Sequence, residues 1–91
     1  MSKTILIVDD KASLRTMVKA YLSEQGFRVI TAADGQEALF VAREAKPDLI
    51  LLDIMMPKID GYEFIRIFSK EQETPIILLT SERFLNQILI C

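Results

Sequence analysis

Residues 4–10 have the sequence TILIVDD, in which a short aliphatic and β-branched run ends in two adjacent aspartates. Such an uninterrupted run predicts a strand that is covered on both faces, as in a parallel sheet. Residues 27–32, 49–52 and 76–79 are also short and apolar, and they predict three further strands. The second of the four, 27–32, alternates between apolar and polar residues and therefore fits an edge of the sheet.

Helical patterns separate these strands. Apolar residues recur at three- and four-residue intervals in 13–25, and shorter patterns of this kind occupy 35–45 and 62–70. The apolar face predicted for the first helix comprises Leu14, Met17, Val18, Tyr21 and Leu22. Asp34 followed by Glu37 predicts a capping box at the start of the second helix. The order β-α-β-α-β-α-β predicts an α/β fold built on a doubly wound parallel sheet.

Composition limits the class of protein. A chain of 91 residues has room for one domain, and a net charge of −2 argues against a dedicated nucleic-acid binder, which normally has a basic face. The single cysteine, Cys91, excludes an internal disulfide and favours a cytoplasmic protein. No apolar run approaches the roughly 20 residues of a membrane-spanning helix, so no membrane association is expected. The absence of histidine excludes histidine-based catalysis and metal ligation within the chain.

Polar residues follow three of the predicted strands. Asp9 and Asp10 follow the first strand, Asp53 follows the third, and Thr80 and Ser81 follow the fourth. In a doubly wound sheet the ligand site lies beyond the carboxyl ends of the strands. We therefore expect three carboxylates and two hydroxyls to converge at one edge of the sheet.

Three neighbouring carboxylates repel one another, and we expect no Lys or Arg at these strand ends to balance their charge. Mg²⁺ would do so, because it takes carboxylate oxygens as ligands and keeps several waters. A carboxylate beside Mg²⁺ is also suited to act as a nucleophile in phosphoryl transfer, with an aspartyl phosphate as the product. The pair Asp9 and Asp10 alone would equally fit a solvated turn or a helix cap, and Asp53 favours the functional interpretation.

Three blocks, ILIVDD at 5–10, LILLDIMMPKIDGYEF at 49–64 and TPIILLTS at 74–81, together resemble the receiver domain of two-component response regulators. The resemblance implies a flavodoxin-like (CheY-like) fold with strand order 2-1-3-4-5. This chain would contain the order 2-1-3-4, with the fifth strand and last helix missing. We accordingly expect a receiver-like domain over residues 1–81 and a divergent apolar tail over 82–91.

The resemblance also implies residue roles. Asp53 would be the phosphoacceptor, and Asp9 and Asp10 would be the acidic pair that holds Mg²⁺ together with it. The backbone carbonyl of Met55 would be a further metal ligand, and Thr80 would be the hydroxyl that moves toward the phosphoryl group. The implied partner is a sensor histidine kinase or a phosphotransfer protein. We expect no enzymatic activity beyond Mg²⁺-dependent autophosphorylation from a kinase or a small phosphodonor.

The family's active-site lysine has no counterpart here, because the last lysine of the chain is Lys70. A second interpretation is therefore a truncated binding or dimerisation module that keeps the acidic pocket but does not switch. A homodimer would then form through an exposed sheet face, the edge of the fourth strand or the tail. In the tail, Phe84, Leu85, Ile88 and Leu89 share a possible helical face, and disorder of this segment is the alternative.

Overall fold

The structure, a computed structural model, describes residues 2–53 and 61–79. The elements in these ranges are β1 (Thr4–Val8), α1 (Ala12–Glu24), β2 (Arg28–Ala32), α2 (Gly35–Ala45), β3 (Leu49–Asp53), α3 (Gly61–Phe68) and β4 (Ile76–Leu79). The alternation of strands and helices predicted from the sequence is therefore confirmed. The predicted tail and the boundary between residues 81 and 82 lie outside the described residues.

The strands form a parallel sheet in the order β2-β1-β3-β4. This order confirms the prediction 2-1-3-4, and it places β1 and β3 side by side in the interior of the described sheet. Val8 is paired with Ala32 on β2 and with Leu52 on β3, and Asp53 is paired with Leu79 on β4. All four strands thus end at a common edge, which we call the carboxyl edge.

The two faces of the sheet carry separate apolar clusters, because successive side chains of a strand point to opposite faces. The larger cluster lies under α2 and α3 and contains Leu6, Val8, Ala32, Ala38, Leu39, Ala42, Ile50, Leu52, Phe64, Phe68, Ile76 and Leu78. The smaller cluster lies under α1 and contains Ile5, Ile7 and Val29, with Val18, Leu22, Leu49 and Leu51 packed against it. Right-handed crossovers account for this distribution of the helices.

The apolar face of α1 is narrower than its residue spacing predicted. Val18 and Leu22 pack on the sheet, whereas Met17 and Tyr21 are each 61% exposed. In α3, Phe64 and Phe68 are buried, whereas Tyr62 at the start of the helix is exposed. Helical spacing specifies which side chains share a face, but the width of the buried stripe depends on what packs against that face.

The predicted capping box at the start of α2 is present. The Asp34 carboxylate accepts a hydrogen bond from the backbone N–H of Glu37 at 2.8 Å, and the Glu37 carboxylate accepts one from the N–H of Ala33 at 2.7 Å. The two side chains thereby satisfy backbone donors that the first helical turn leaves without helical partners. The cap directs the chain from the carboxyl edge into α2.

We expect Asp34→Ala to lower the free energy of unfolding by about 1 kcal/mol, the usual effect of losing an N-cap side chain. Urea unfolding followed by circular dichroism measures this change. Asp34→Asn is the matched control, since its amide oxygen still accepts the Glu37 N–H, and its stability should stay within a few tenths of a kcal/mol of the wild type. Equal stability of the Ala variant and the wild type would show that the cap contributes nothing.

Among the described residues, no helix combines the length and the apolar character needed to cross a membrane.

Candidate functional site

The carboxyl edge brings together the three aspartates that the sequence analysis expected to converge. Asp9 follows Val8, and Val8 is paired with Leu52, so Asp9 and Asp53 leave adjacent strands at the same level. Asp9, Asp10 and Asp53 each offer a carboxylate oxygen, and these oxygens all lie within 4.8 Å of one another. We call these three residues the acidic site. Its geometry follows from parallel pairing alone, since neighbouring strands that start together also end together.

Burial distinguishes the members of the acidic site. Asp9 and Asp53 are only 4% and 2% exposed, whereas Asp10 is exposed to solvent. Buried carboxylates are uncommon in proteins unless other groups compensate their charge. One compensating contact is local, because the Asp9 carboxylate accepts a hydrogen bond from the backbone N–H of Lys11 at 2.8 Å.

Burial also raises the pKa of the Asp9 carboxyl above its ordinary value. The Lys11 N–H and the Lys11 ammonium act in the opposite direction, while the charges of Asp53 and Asp10 raise the pKa further. Because the pKa is higher in the folded chain, the folded state binds this proton more strongly than the unfolded state does. Asp9 therefore contributes less to stability as the pH rises through its pKa. A cation bound near Asp9 would offset this cost.

Lys11 is the member of this region that the sequence analysis missed. Its ammonium nitrogen Nζ lies 3.9 Å from Asp9 Oδ1, 3.6 Å from Asp10 Oδ1 and 3.7 Å from Asp53 Oδ2. The expectation that no Lys or Arg would balance these carboxylates was therefore wrong. The long, flexible lysine stem allows a residue of the loop after β1 to place its charge beside all three acids. The position directly after the aspartate pair was the available signal.

The carboxylates act on Lys11 in turn. They raise the pKa of its ammonium group, with Asp9 contributing most, Asp53 next, and Asp10 less. The ammonium therefore stays charged at neutral pH. Arg15, one helical turn further along, donates from Nη1 to the backbone carbonyl of Asp9 at 2.6 Å and anchors the loop to α1.

The donor set of the acidic site fits a small divalent cation. Its ligand atoms are carboxylate oxygens, which Mg²⁺ prefers, and two of the three residues are held by buried strand ends. The position of the Lys11 ammonium, within 4 Å of one oxygen from each acid, shows that the three carboxylates jointly attract positive charge at one point. Met55 and Thr80, the other predicted site residues, lie outside the described residues.

Comparison with known proteins identifies the family of the chain. The response regulator receiver domain matches residues 5–90 of the chain. The chain belongs to the response regulator receiver family. The receiver is a regulatory domain, and its fold and function agree with the resemblance noted in the sequence. Receiver domains bind Mg²⁺ in an acidic pocket and interact with histidine kinases or phosphotransfer proteins.

Two curated relatives illustrate the similarity of this receiver to known regulators. It is 48% identical to the probable transcriptional regulator ycf27 of Cyanophora paradoxa over 79 aligned residues. The aligned region covers 87% of this chain and 33% of the relative. The chain is 46% identical over 83 residues to the alkaline phosphatase synthesis transcriptional regulatory protein PhoP of Bacillus subtilis, covering 90% of this chain and 35% of the relative. The chain thus spans about a third of the length of these relatives.

Solved receivers share the fold. The BeF3-activated N-terminal receiver domain of Klebsiella pneumoniae RstA superposes with a TM-score of 0.84 at 38% identity, covering 88% of this chain and 68% of that one. The response regulator TrrA of Thermotoga maritima, solved in complex with Mg²⁺ and BeF, gives a TM-score of 0.82 at 40% identity, covering 92% of this chain and 74% of that one.

Proposed function

We propose that this receiver accepts a phosphoryl group on Asp53 while Asp9, Asp10 and Asp53 hold Mg²⁺. The observation that carries the proposal is the convergence of the three carboxylates, whose oxygens lie within 4.8 Å of one another at the carboxyl edge. In this proposal the backbone carbonyl of Met55 is a further metal ligand, and Thr80 supplies the hydroxyl that contacts the phosphoryl group.

The surroundings of the three acids favour Asp53 as the nucleophile. The Asp9 carboxylate accepts the Lys11 N–H at 2.8 Å, and this hydrogen bond withdraws electron density from it. Asp10 is exposed and lies in the loop after β1, where its orientation is less restricted than at a strand end. Asp53 is the last residue of β3 and is buried, so its carboxylate is held in one direction. Such positioning lowers the entropic cost of the reaction.

In the proposed reaction a carboxylate oxygen of Asp53 attacks the phosphorus of a phosphoramidate donor. The new bond joins this oxygen to phosphorus, the P–N bond breaks, and the departing nitrogen takes up a proton. Mg²⁺ held by Asp9, Asp10 and Asp53 would neutralise charge on the phosphoryl oxygens. Asp9, fixed by the Lys11 N–H and by its own N–H donated to the Ala32 carbonyl at 3.2 Å, keeps the ligand set in place.

The donor in the cell is proposed to be a phosphohistidine of a sensor histidine kinase or a phosphotransfer protein. The 91 residues contain no histidine, so a donor phosphohistidine would lie outside them. We place this exchange in the cytoplasm, the compartment that a single-cysteine sequence favours. Both curated relatives are named as transcriptional regulators, and we propose control of transcription as the process that this receiver serves.

A homodimer through the sheet face, the β4 edge or the tail was also predicted from the sequence. Of its three predicted contact surfaces, the tail lies outside the described residues, whereas the sheet face and the edge of β4 lie within them. The proposed phosphoryl transfer needs only one chain.

Intact-mass spectrometry tests the proposed function. The chain is incubated with phosphoramidate and Mg²⁺, and we expect its mass to increase by one phosphoryl group. A parallel sample with EDTA should gain none, because the phosphoryl oxygens would then approach the carboxylates without a divalent cation to neutralise their charge. Equal incorporation with and without Mg²⁺ would contradict the metal-dependent mechanism, and no incorporation under either condition would contradict the function.

A further inference from the structure

The position of Lys11 suggests a role beyond balancing charge. Its ammonium group lies 3.6–3.9 Å from one oxygen of each carboxylate in the acidic site, at nearly equal distances. A direct charge-assisted hydrogen bond between N and O is shorter, about 2.7–2.9 Å. The ammonium is therefore shared among the three acids rather than paired with one of them, and it lies where their attraction for a cation is concentrated.

We propose that Lys11 is a built-in counter-ion that competes with the divalent cation for the acidic site and thereby weakens Mg²⁺ binding. This inference rests on the proposed metal site. It concerns the Mg²⁺ affinity of that site, which we expect Lys11 to lower although Lys11 is not a metal ligand.

The competition is electrostatic. Oxygens within 4.8 Å of one another leave room for one centre of positive charge, and the Lys11 ammonium lies close to that centre. When Mg²⁺ binds, the ammonium must either remain a few ångströms from a doubly charged ion or move away from the carboxylates. Both alternatives make the free energy of Mg²⁺ binding less favourable. An ammonium that stays repels the ion, and an ammonium that moves away loses its own attraction to the carboxylates.

The exposure of Lys11 allows the second alternative. Its side chain is 53% exposed, whereas the side chains of Asp9 and Asp53 are 5% and 3% exposed. The lysine can therefore rotate into solvent while the buried carboxylates stay in place. Lys11 thus lowers the affinity of the acidic site for Mg²⁺ without blocking access to it.

The same contacts stabilise the metal-free chain. Without the ammonium, the two buried carboxylates and Asp10 would repel one another with no cation between them. Removing the charge of Lys11 should therefore act in opposite directions on two measurable properties. The stability of the metal-free chain should fall, and the affinity for Mg²⁺ should rise.

The test compares four forms of the full chain by Mg²⁺ titration calorimetry and by urea unfolding in EDTA. Lys11→Met removes the charge and keeps the apolar stem, and Lys11→Arg keeps the charge. Lys70→Met removes a charge between α3 and β4, at the end of the sheet opposite the acidic site, and is the matched control. Lys11→Gln replaces Lys11→Met should the Met variant aggregate.

We expect Lys11→Met to bind Mg²⁺ about tenfold more tightly than the wild type, the effect of removing one unit charge a few ångströms from a divalent ion in a water-like medium. Lys11→Arg should stay within about threefold of the wild type, and Lys70→Met should be unchanged. In EDTA, Lys11→Met should unfold at a lower urea concentration than Lys70→Met.

The outcomes separate this inference from the proposed function. Equal or weaker Mg²⁺ binding by Lys11→Met would overturn the competition, even if its stability in EDTA falls, because a merely structural lysine would do the same. Absence of Mg²⁺ binding in both the wild type and Lys11→Met would overturn the metal site and the competition together. Tighter binding by Lys11→Met without phosphoryl transfer would support the competition and contradict only the proposed function.

Discussion

Asp53→Asn is expected to reduce phosphoryl incorporation from phosphoramidate by at least about a hundredfold, because it removes the nucleophilic oxygen and replaces it with an amide. The substitution is nearly isosteric, so the end of β3 should keep its position in the sheet. Intact-mass spectrometry after incubation with Mg²⁺ and the donor measures the result, and the wild type assayed in parallel gives the reference rate.

Asp48→Asn provides the matched control for this variant. Asp48 immediately precedes β3, at the end of the strand opposite Asp53, and its carboxylate accepts the Thr4 N–H at 2.8 Å. The amide oxygen of asparagine can accept the same bond. Asp48→Asn should therefore be phosphorylated at the wild-type rate, which would show that losing a carboxylate at either end of β3 does not by itself abolish phosphorylation.

Phosphorylation of Asp53→Asn at the wild-type rate would contradict the assignment of the acceptor. The phosphoryl group would then be on another residue, and peptide mapping after borohydride reduction of the acyl phosphate would identify it. Asp9 and Asp10 would be the first residues to examine, because their carboxylates share the acidic site.

Phe64→Ala is expected to lower the free energy of unfolding by about 4 kcal/mol, within the range for removing a buried aromatic side chain. Phe64 is fully buried and stacks on Phe68, with ring centroids 5.2 Å apart and an angle of 17° between the planes. Both rings belong to the larger apolar cluster, which joins α3 to the sheet. A chain of this size has about 5–14 kcal/mol of stability in total, so the loss is a large share of it.

Urea unfolding followed by circular dichroism measures this loss, and Phe40→Ala is its control. Phe40 lies on α2 with 64% of its surface exposed, so the same truncation there removes little buried area. Its effect should stay within about 0.5 kcal/mol. A change of less than 1 kcal/mol in Phe64→Ala would contradict the packing of α3 described here, because so small an effect is typical of surface positions.

The fold was largely predictable because its signals are local. The apolar runs that became β1, β3 and β4 are short and bounded by turn residues, and the capping box at Asp34 needs only two side chains three residues apart. The strand order came from the resemblance of three blocks to the receiver family, since single strands do not encode which strand lies beside them.

The acidic site was likewise predictable only where its signals are local. Asp9, Asp10 and Asp53 could be placed together because each lies at or just beyond the carboxyl end of a predicted parallel strand, and such strands share a carboxyl edge. The position of Lys11 after the aspartate pair indicated only that it lies nearby, because a side chain with four rotatable bonds can reach solvent, helix or acid from the same backbone position. Only the folded arrangement of the three carboxylates shows where its charge is attracted.

Patterns along the chain were enough to predict the alternation of elements, the parallel sheet and the residues that supply the carboxylates, because each depends on spacing in the sequence. The buried fraction of each helix follows instead from its packing in the folded chain, as the exposure of Met17, Tyr21 and Tyr62 shows. The folded arrangement likewise places Lys11 beside the acidic site. Both features depend on neighbours that are distant in sequence, since burial and electrostatic attraction act through space.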